Sequence, residues 1–357
     1  MKDHRASSGN QGPTYRVLMT ADLGQFPVPP VRYGATEREV AVYAQALCEL
    51  GHTVDLIAKT GSTRFNGRLY TPPGPTAAYW SRAACKILYQ PVSLWAARDV
   101  DVVHCHSRMD YMAALYRTSK PLVVHFHNDA RQDHVDWLLR QRRGHLRLVA
   151  ISHSQISEIA QKEIFDVVYS VPPLEQFPFR ATPESPPYLI YLGRINYNKG
   201  VDIAIQVARR TGLPLKIIGP VRDEPGNEAY YREQVAPYLG PECEHLGEVT
   251  DEEKLRLLSG ATALVFPMRW KEPMGLVMIE SLACGTPVIV SNQASAPELV
   301  THGRTGYLCD GFEEFVEAVK QVGRIDRTTC RREAEARFDV PEMIRQIERV
   351  YAHAIAG

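Results

Sequence analysis

The sequence predicts an α/β protein with two doubly wound parallel-sheet domains that face a central cleft. Three observations carry this prediction. Short apolar segments alternate with segments of helical periodicity, the alternation occurs in two successive series, and a stretch with six prolines at 171–187 separates the series. Strands that alternate with helices form parallel sheets, which bind ligands at the carboxyl ends of their strands.

Length, charge and cysteine content narrow the class of protein. A chain of 357 residues is long enough for two domains of ordinary size. Its 41 basic and 41 acidic residues create no overall field that would attract nucleic acid. Its seven cysteines form no C-x-x-C pair, which predicts reduced thiols in a cytoplasmic protein. The polar N-terminus and the lack of a long apolar run predict neither a signal peptide nor a membrane span.

The first domain is predicted at 14–172, after a polar N-terminus at 1–13 that is predicted to be disordered. It opens with a strand at 15–21, a Pro/Gly loop, a helix at 36–50 and a strand at 53–58. Thr36 and Glu39 have the spacing of a capping box, and Gly51 follows the last helical residue. A helix near 77–98, broken at Pro91, and strands at 100–105, 121–126 and 147–151 complete the series.

The proline-rich segment 173–187 is predicted to be a linker, and the second domain follows it at 188–338. Strands are predicted at 188–192, 214–218, 262–267 and 287–291. Helices are predicted at 201–211, 251–259 and 274–284. The last residues, 339–357, are predicted to form a helix that crosses back to the first domain.

The segment 270–290 has the features of an anion site between two carboxylates. Pro273 fits the first position of a helix and places Glu272 on the preceding loop. Gly275 lets a ligand approach the N–H groups of the first helical turn, which favour anions. Glu280 lies about 12 Å from Glu272 at most. This order matches the sugar, pyrophosphate and ribose of a nucleotide sugar. Spacing alone would favour a solvated loop acid and a helix-face acid, so Pro273, Gly275 and the helix start carry the prediction.

A second segment supplies two cations close to a strand end. The strand at 188–192 ends at Gly193, and the next loop carries Arg194 and Lys199. Two such cations can neutralise a diphosphate leaving group. Either cation alone fits a solvated loop residue, but their position relative to the helix at 274 favours a ligand site.

Both segments resemble the retaining nucleotide-sugar glycosyltransferases of family 4, which have the GT-B fold of two Rossmann-like domains. The matching motifs are G-R-x-x-x-x-K-G at 193–200 and E-P-x-G-L-x-x-I-E-x-x-A-x-G-T-P-V-I at 272–289, and the similarity runs from 15 to about 311. The resemblance implies transfer from a nucleoside-diphosphate sugar, a UDP- or GDP-sugar above all, to a hydroxyl of a glycan, glycolipid precursor or small molecule. It implies no cofactor and no metal.

The resemblance also implies roles for individual residues. Arg194 and Lys199 would hold the diphosphate, Glu272 the transferred sugar and Glu280 the ribose. The first loop resembles P-P-x-x-Y-G-G-T-E, except that Ala35 replaces the second glycine, at a cost of about 1 kcal/mol if that position needs positive φ. The implied catalytic residues are Arg194, Lys199, Glu272 and His127, and the implied donor-binding residues are Gly34, Ala35, Gly193, Met274, Gly275, Leu276 and Glu280.

Two histidine pairs lie at the ends of neighbouring predicted strands. Alternation along a strand places His104 and His106 on one face, and likewise His125 and His127. Four imidazoles in one cleft would suit a metal ion. The resemblance instead places His127 at the donor sugar, with His106 and Asn128 as possible cleft residues. No metal is therefore predicted, and a four-histidine metal site stays as the alternative.

Other possibilities concern the whole protein and its partners. A nucleotide-sugar epimerase on the same fold and a catalytically silent partner subunit are both alternatives, although the intact motifs argue against the silent subunit. The segment 139–147 is locally basic, so it either contacts anionic lipid peripherally, at the inner face of a membrane, or forms a solvated helix end.

Overall fold

The computed structural model describes residues 13–23, 26–31, 34–71 and 82–357. The disorder predicted for 1–13 therefore falls almost entirely outside the described residues, as do residues 77–81 of the predicted helix near 77–98. Every helix in the described ranges is too short or too polar to span a bilayer.

The first domain is a parallel sheet with helices on both faces. Its strand order is β3-β2-β1-β4-β5-β6-β7, and every pairing is parallel. The strands are β1 (Arg16–Thr20), β2 (Thr53–Ile57), β3 (Leu69–Tyr70), β4 (Val102–Cys105), β5 (Leu122–Phe126), β6 (Leu146–Ala150) and β7 (Phe165–Val167). The α-helices are α1 (Ala35–Glu49), α2 (Arg82–Ala96) and α3 (Gln132–Gln141).

The second domain repeats this plan with the order β10-β9-β8-β11-β12-β13, again all parallel. Its strands are β8 (Leu189–Leu192), β9 (Leu215–Ile218), β10 (Cys243–Gly247), β11 (Ala263–Phe266), β12 (Val288–Ser291) and β13 (Gly306–Cys309). Its helices are α4 (Val201–Thr211), α5 (Asn227–Gln234), α6 (Asp251–Gly260), α7 (Leu276–Ala283), α8 (Ala296–Leu299), α9 (Phe312–Gln321) and α10 (Arg327–Arg337). The predicted pair of doubly wound domains is confirmed.

The carboxyl edges of the two sheets face each other across a cleft. In each sheet the strand order reverses beside the first strand, β1 or β8, and such switch points are where ligands bind. Loops that follow strand ends contact each other between the domains. Arg38 in α1 pairs with Asp251 at the start of α6 at 2.9 Å, and Lys271 after β11 pairs with Glu158 after β6.

Helix α1 begins differently from the prediction. Gly34 is the residue before the helix, with φ 148°, and no side chain caps the helix. The capping box predicted from Thr36 and Glu39 is therefore wrong, because the Glu39 carboxylate is used elsewhere, by His127 and a serine. At the other end Gly51 adopts φ 91° and donates its N–H to Cys48, as its position after the helix predicted.

Two prolines act differently from the prediction. Helix α2 runs through Pro91 instead of breaking there, since apolar packing of its buried side, at Tyr89 and Ala96, holds the helix despite the missing N–H. Pro273 is not the first residue of α7. Gly275 adopts φ 73°, ψ 59°, a left-handed conformation that ends the loop, so α7 begins at Leu276.

The last helix, α11 (Val340–Ala356), packs on the first domain. It buries an apolar side against α1 and against β4, β5 and β6. Polar contacts add to this packing: Tyr351 lies 2.7 Å from Nδ1 of His104, and Glu348 lies 2.9 Å from Nε2 of His52. The C-terminal segment thus completes the first domain after the chain has passed through the second.

Glu298 in α8 links the second domain to the first. Its carboxylate accepts hydrogen bonds from the backbone N–H groups of His153 and Ser154, at 2.9 and 2.7 Å, and from the Tyr169 hydroxyl at 3.0 Å. Burial, with the nearby Glu298 carboxylate, raises the pKa of Tyr169 to about 12, so this hydroxyl remains a donor.

Replacing Glu298 by alanine is expected to lower the free energy of unfolding by about 1–3 kcal/mol, because three donors lose a charged acceptor. Urea unfolding followed by circular dichroism measures this loss. Glu317→Ala, on an exposed helix surface, is the matched control. An equal loss in both variants would show that the inter-domain contact contributes nothing specific.

Candidate functional site

The loop after β8 holds Arg194 and Lys199 in a fixed conformation. The Tyr191 hydroxyl lies 3.1 Å from the carbonyl of Arg194 and 3.3 Å from that of Lys199. Asn196 accepts the N–H of Lys199 through its side chain at 3.0 Å. Gly193, the last residue before the loop, donates to the carbonyl of Ile218. The two predicted cations therefore sit on a braced loop at the carboxyl end of the sheet.

Gly200 brings this loop against the one after β11. Its φ is 71°, and a Cβ at this position would lie 2.0 Å from the carbonyl oxygen of Pro267. No larger residue fits without moving the backbone. This close approach places the Lys199 side chain beside the segment that carries Glu272.

Lys199 and Glu272 form an ion pair at the base of the site, with side-chain exposures of 12% and 13%. Trp270 donates its indole N–H to the same carboxylate at 3.0 Å, and its ring lies 4.7 Å from the Lys199 Nζ. Burial lowers the pKa of Lys199, and Glu272 only partly opposes that effect. The structure thus brings together two residues that the sequence placed on separate motifs.

The start of α7 is positioned by the Gly275 turn and by Ser295. The Ser295 hydroxyl donates to the carbonyls of Glu272 and Met274, both at 2.9 Å. The N–H groups of Leu276 and Val277, the first two of α7, have no partner within the helix and carry the positive end of its dipole. The corrected helix start places these donors directly after Gly275.

Two further predicted site residues, Arg194 and Glu280, are held in ion pairs. Arg194 pairs with Glu224 at 3.1 Å. Glu280, in the middle of α7, pairs with Lys254 at 3.3 Å, and Lys254 also lies 3.5 Å from Asp251. Each side chain thus has a partner of opposite charge within the protein.

The Gly34-Ala35 turn faces the site from the first domain. Gly34 has the positive φ, and a Cβ there would lie 2.8 Å from Cβ of Pro30. Ala35 is the first residue of α1 and is not among the residues with positive φ. The strain expected at Ala35 if it needed positive φ is therefore absent, because the first glycine alone makes the turn.

The four histidines lie side by side at the ends of β4 and β5. His106 Nδ1 is 2.9 Å from His127 Nε2, and His104 Nε2 is 3.2 Å from His125 Nδ1. Glu39 from α1 reaches His127 Nδ1 at 3.1 Å. Both ring nitrogens of His127, the predicted sugar contact, are therefore engaged within the first domain. Asn128, a predicted cleft residue, is exposed.

Glu39 is a buried carboxylate that the sequence assigned to a helix cap. It also accepts a hydrogen bond from the Ser170 hydroxyl. Burial raises the pKa of Glu39, but its contacts with His127 and Ser170 outweigh burial, and the pKa is lowered overall. The carboxylate is thus ionised at neutral pH and fixes the orientation of His127. The sequence around Glu39, five residues after Gly34, contains no signal of this role.

Comparison with known proteins adds two family matches. Residues 174–337 match the family model described as glycosyl transferases group 1. Residues 36–190 match the model described as glycosyltransferase family 4. The second match covers the domain with the histidines, and the first covers the domain with Arg194, Lys199 and Glu272.

Two relatives share part of the sequence. Glycogen synthase of Mycobacterium tuberculosis is 31% identical over 192 residues, which are 50% of this chain and 45% of the relative. D-rhamnosyltransferase WbpZ of Pseudomonas aeruginosa is 28% identical over 238 residues, 59% of this chain and 60% of the relative. The chain thus spans about half the length of the curated relatives it matches.

Solved structures show the same fold at low identity. The Anabaena protein HepE, crystallised with UDP and glucose, has a TM-score of 0.73 and 17% identity, with 95% of this chain and 99% of that chain covered. With two facing parallel-sheet domains and both family matches, the fold is GT-B.

Proposed function

We propose that this chain, which is built from the two domains of GT-B glycosyltransferases, transfers a sugar from a nucleoside-diphosphate sugar to an acceptor hydroxyl with retention of configuration. One observation carries the proposal. Lys199 and Glu272 meet in a mostly buried ion pair after the carboxyl ends of β8 and β11, and Glu272 lies four residues before the start of α7. A cation beside a carboxylate suits a ligand that carries both phosphates and sugar hydroxyls, as a nucleoside-diphosphate sugar does.

The charges suggest how the donor would be held. A diphosphate would compete with Glu272 for Lys199 and with Glu224 for Arg194, and both cations would then face the phosphates. The carboxylate released from Lys199 would accept hydroxyls of the transferred sugar. Glu280, in the same way, would exchange Lys254 for the ribose hydroxyls.

The same groups would stabilise the transition state. As the bond to diphosphate breaks, negative charge grows on the leaving group, and Arg194, Lys199 and the α7 amides would stabilise that charge. The acceptor hydroxyl would attack the oxocarbenium-like sugar from the face that the diphosphate leaves, and the departing phosphate would take its proton. This route uses fixed charges of the protein and no metal.

The relatives support this donor class and leave the acceptor open. WbpZ is named a rhamnosyltransferase, and HepE was crystallised with UDP and glucose, which favours a UDP- or GDP-sugar here. The acceptor would be a glycan, a glycolipid precursor or a small molecule. For a lipid-linked acceptor, Arg140 and Arg143, both exposed at the end of α3, would contact anionic lipid peripherally.

A melting screen identifies the nucleotide. UDP, GDP, ADP and TDP, each alone and as a sugar conjugate, are added at matched concentrations. The correct nucleotide is expected to raise the melting temperature, since a ligand at 100 times its Kd stabilises by about 2.7 kcal/mol. A flat response to all of them would contradict a nucleotide-sugar enzyme.

Product analysis then tests transfer itself. With the donor from the screen and a panel of acceptors, we expect a new glycosidic bond with the anomeric configuration of the donor, seen by NMR. Added Mg²⁺ or Mn²⁺ is expected to change the rate little. Conversion of the donor without an acceptor would instead indicate an epimerase, and inversion would overturn the proposed mechanism.

A further inference from the structure

The histidines described above form a compact group inside the first domain. His104, His106 and His125 are 0%, 4% and 3% exposed. One side-chain nitrogen from each can be chosen so that all three lie within 4.8 Å of one another. Three converging imidazoles are a common ligand set for transition metals, with zinc foremost.

The separation of two ring nitrogens fits an ion. His104 Nε2 and His125 Nδ1 are 3.2 Å apart. Two nitrogens bound to one tetrahedral zinc at its usual bond length lie roughly 3.4 Å apart. The pair therefore needs only a small movement, plus rotation of the rings, to bind an ion between them.

One ring nitrogen of this group has no partner. Among the described residues, His106 Nε2 is a buried side-chain atom that lacks a hydrogen bond, and His106 is 4% exposed. Buried polar groups are ordinarily hydrogen-bonded, so an unpartnered buried nitrogen beside two further imidazoles indicates a bound group.

The surrounding hydrogen bonds leave the correct nitrogen of His106 free. With the proton of His127 on Nδ1, toward the Glu39 carboxylate, Nε2 of His127 accepts from His106 Nδ1–H. The lone pair of His106 is then on Nε2, the unpartnered atom. Metal-binding histidines ordinarily donate their other N–H to such a partner, and that bond fixes the tautomer.

We propose that His104, His106 and His125 bind one divalent transition-metal ion, with zinc as the natural occupant, in the interior of the first domain. The site goes beyond the proposed transfer reaction and takes no part in it, so it revises the expectation of a metal-free protein without changing the chemistry. Its ion would hold β4 and β5 together beneath α11, whose Tyr351 contacts His104.

A neighbouring ligand set competes with this one. Glu39, His125 and His127 also have ligand atoms within 4.8 Å of one another. An ion would replace the 3.1 Å contact between Glu39 Oε2 and His127 Nδ1 in that set, and the 3.2 Å contact between His104 Nε2 and His125 Nδ1 in the three-histidine set. Only the three-histidine set includes His106 Nε2, which has no partner. The three-histidine set is therefore favoured, and the two sets differ in their dependence on His104 and His127.

The test uses the full chain, purified without a His tag and stripped of metal. Cobalt(II), which reports tetrahedral nitrogen coordination by its visible absorption, is titrated into the protein, and zinc is then added as competitor. We expect one cobalt per chain, displacement by zinc, and a higher melting temperature with one equivalent of zinc. A wild-type protein that binds neither metal at micromolar concentration would overturn the site and leave the transfer proposal untouched.

Variants locate the ion. His104→Gln is expected to lose the cobalt spectrum, whereas His127→Gln and the control His353→Gln, at an exposed position of α11, are expected to keep it. Circular dichroism of each variant checks folding, and the wild-type titration stands if His104→Gln does not fold. Loss of the spectrum in His127→Gln with retention in His104→Gln would assign the ion to the Glu39 set and overturn this proposal.

Discussion

Replacement of Lys199 by alanine is expected to lower kcat/KM for sugar transfer by about 100- to 1000-fold, the usual effect of removing one preorganised donor from a transition state. The reason is the environment of this ammonium group. It is mostly buried, lies over the Trp270 ring and is paired with Glu272, so solvent cannot replace it. Steady-state kinetics with the donor from the melting screen measure the loss.

A control and a double variant sharpen this test. Lys271→Ala removes a cation from the loop after β11, but that side chain is 69% exposed, and little change is expected. Because Lys199 and Glu272 contact each other, Lys199→Ala combined with Glu272→Gln should lose less than the sum of the two single losses. Activity of Lys199→Ala within threefold of wild type would exclude Lys199 from the chemistry.

Arg327→Met is expected to reduce the free energy of unfolding by about 3 kcal/mol or more, because several buried acceptors would lose their donor at once. Arg327 is 6% exposed. It donates to the carbonyls of Arg180, Ala261 and Ser259 and to the Thr286 hydroxyl. These hydrogen bonds join the start of α10 to the proline-rich linker, to the end of α6 and to the residues before β12.

Urea unfolding followed by circular dichroism measures the effect of Arg327→Met. Arg324→Met, three residues earlier and exposed, is the control and should change stability by less than about 0.5 kcal/mol. If both variants unfold at the same urea concentration, the Arg327 hydrogen bonds contribute no net stability.

The architecture could be predicted from the sequence because hydrophobic periodicity and the positions of glycine and proline depend directly on it. Each half has its own run of alternating strands and helices, and the proline-rich segment marks the boundary. Short edge strands such as β3 and β7 gave no such signal, since a few residues carry too little periodicity. The first residues of helices were harder to predict from the sequence. Gly275 adopts positive φ, so α7 begins after it and not at Pro273. Gly34 likewise adopts positive φ, so α1 begins at Ala35 and not after a cap at Thr36.

Within the candidate site, the sequence predicted the residue types and missed their partners. Arg194, Lys199 and Glu272 were predicted from the two motifs that contain them. Lys199 and Glu272 are 73 positions apart along the chain. Their pairing depends on the close approach of two loops at Gly200, which the sequence does not reveal. Glu39 was assigned to a cap because local spacing cannot reveal a contact with a histidine 88 positions away.

The return of α11 to the first domain has a consequence for the order in which the protein folds. The ribosome makes β1 to β7 first, but the side of that sheet beneath α11 is covered only when Tyr351 and its neighbours have emerged. The first-made domain is thus finished last. Until then its apolar surface and the histidine group are exposed, so the growing chain depends on the second domain folding promptly to deliver the final helix.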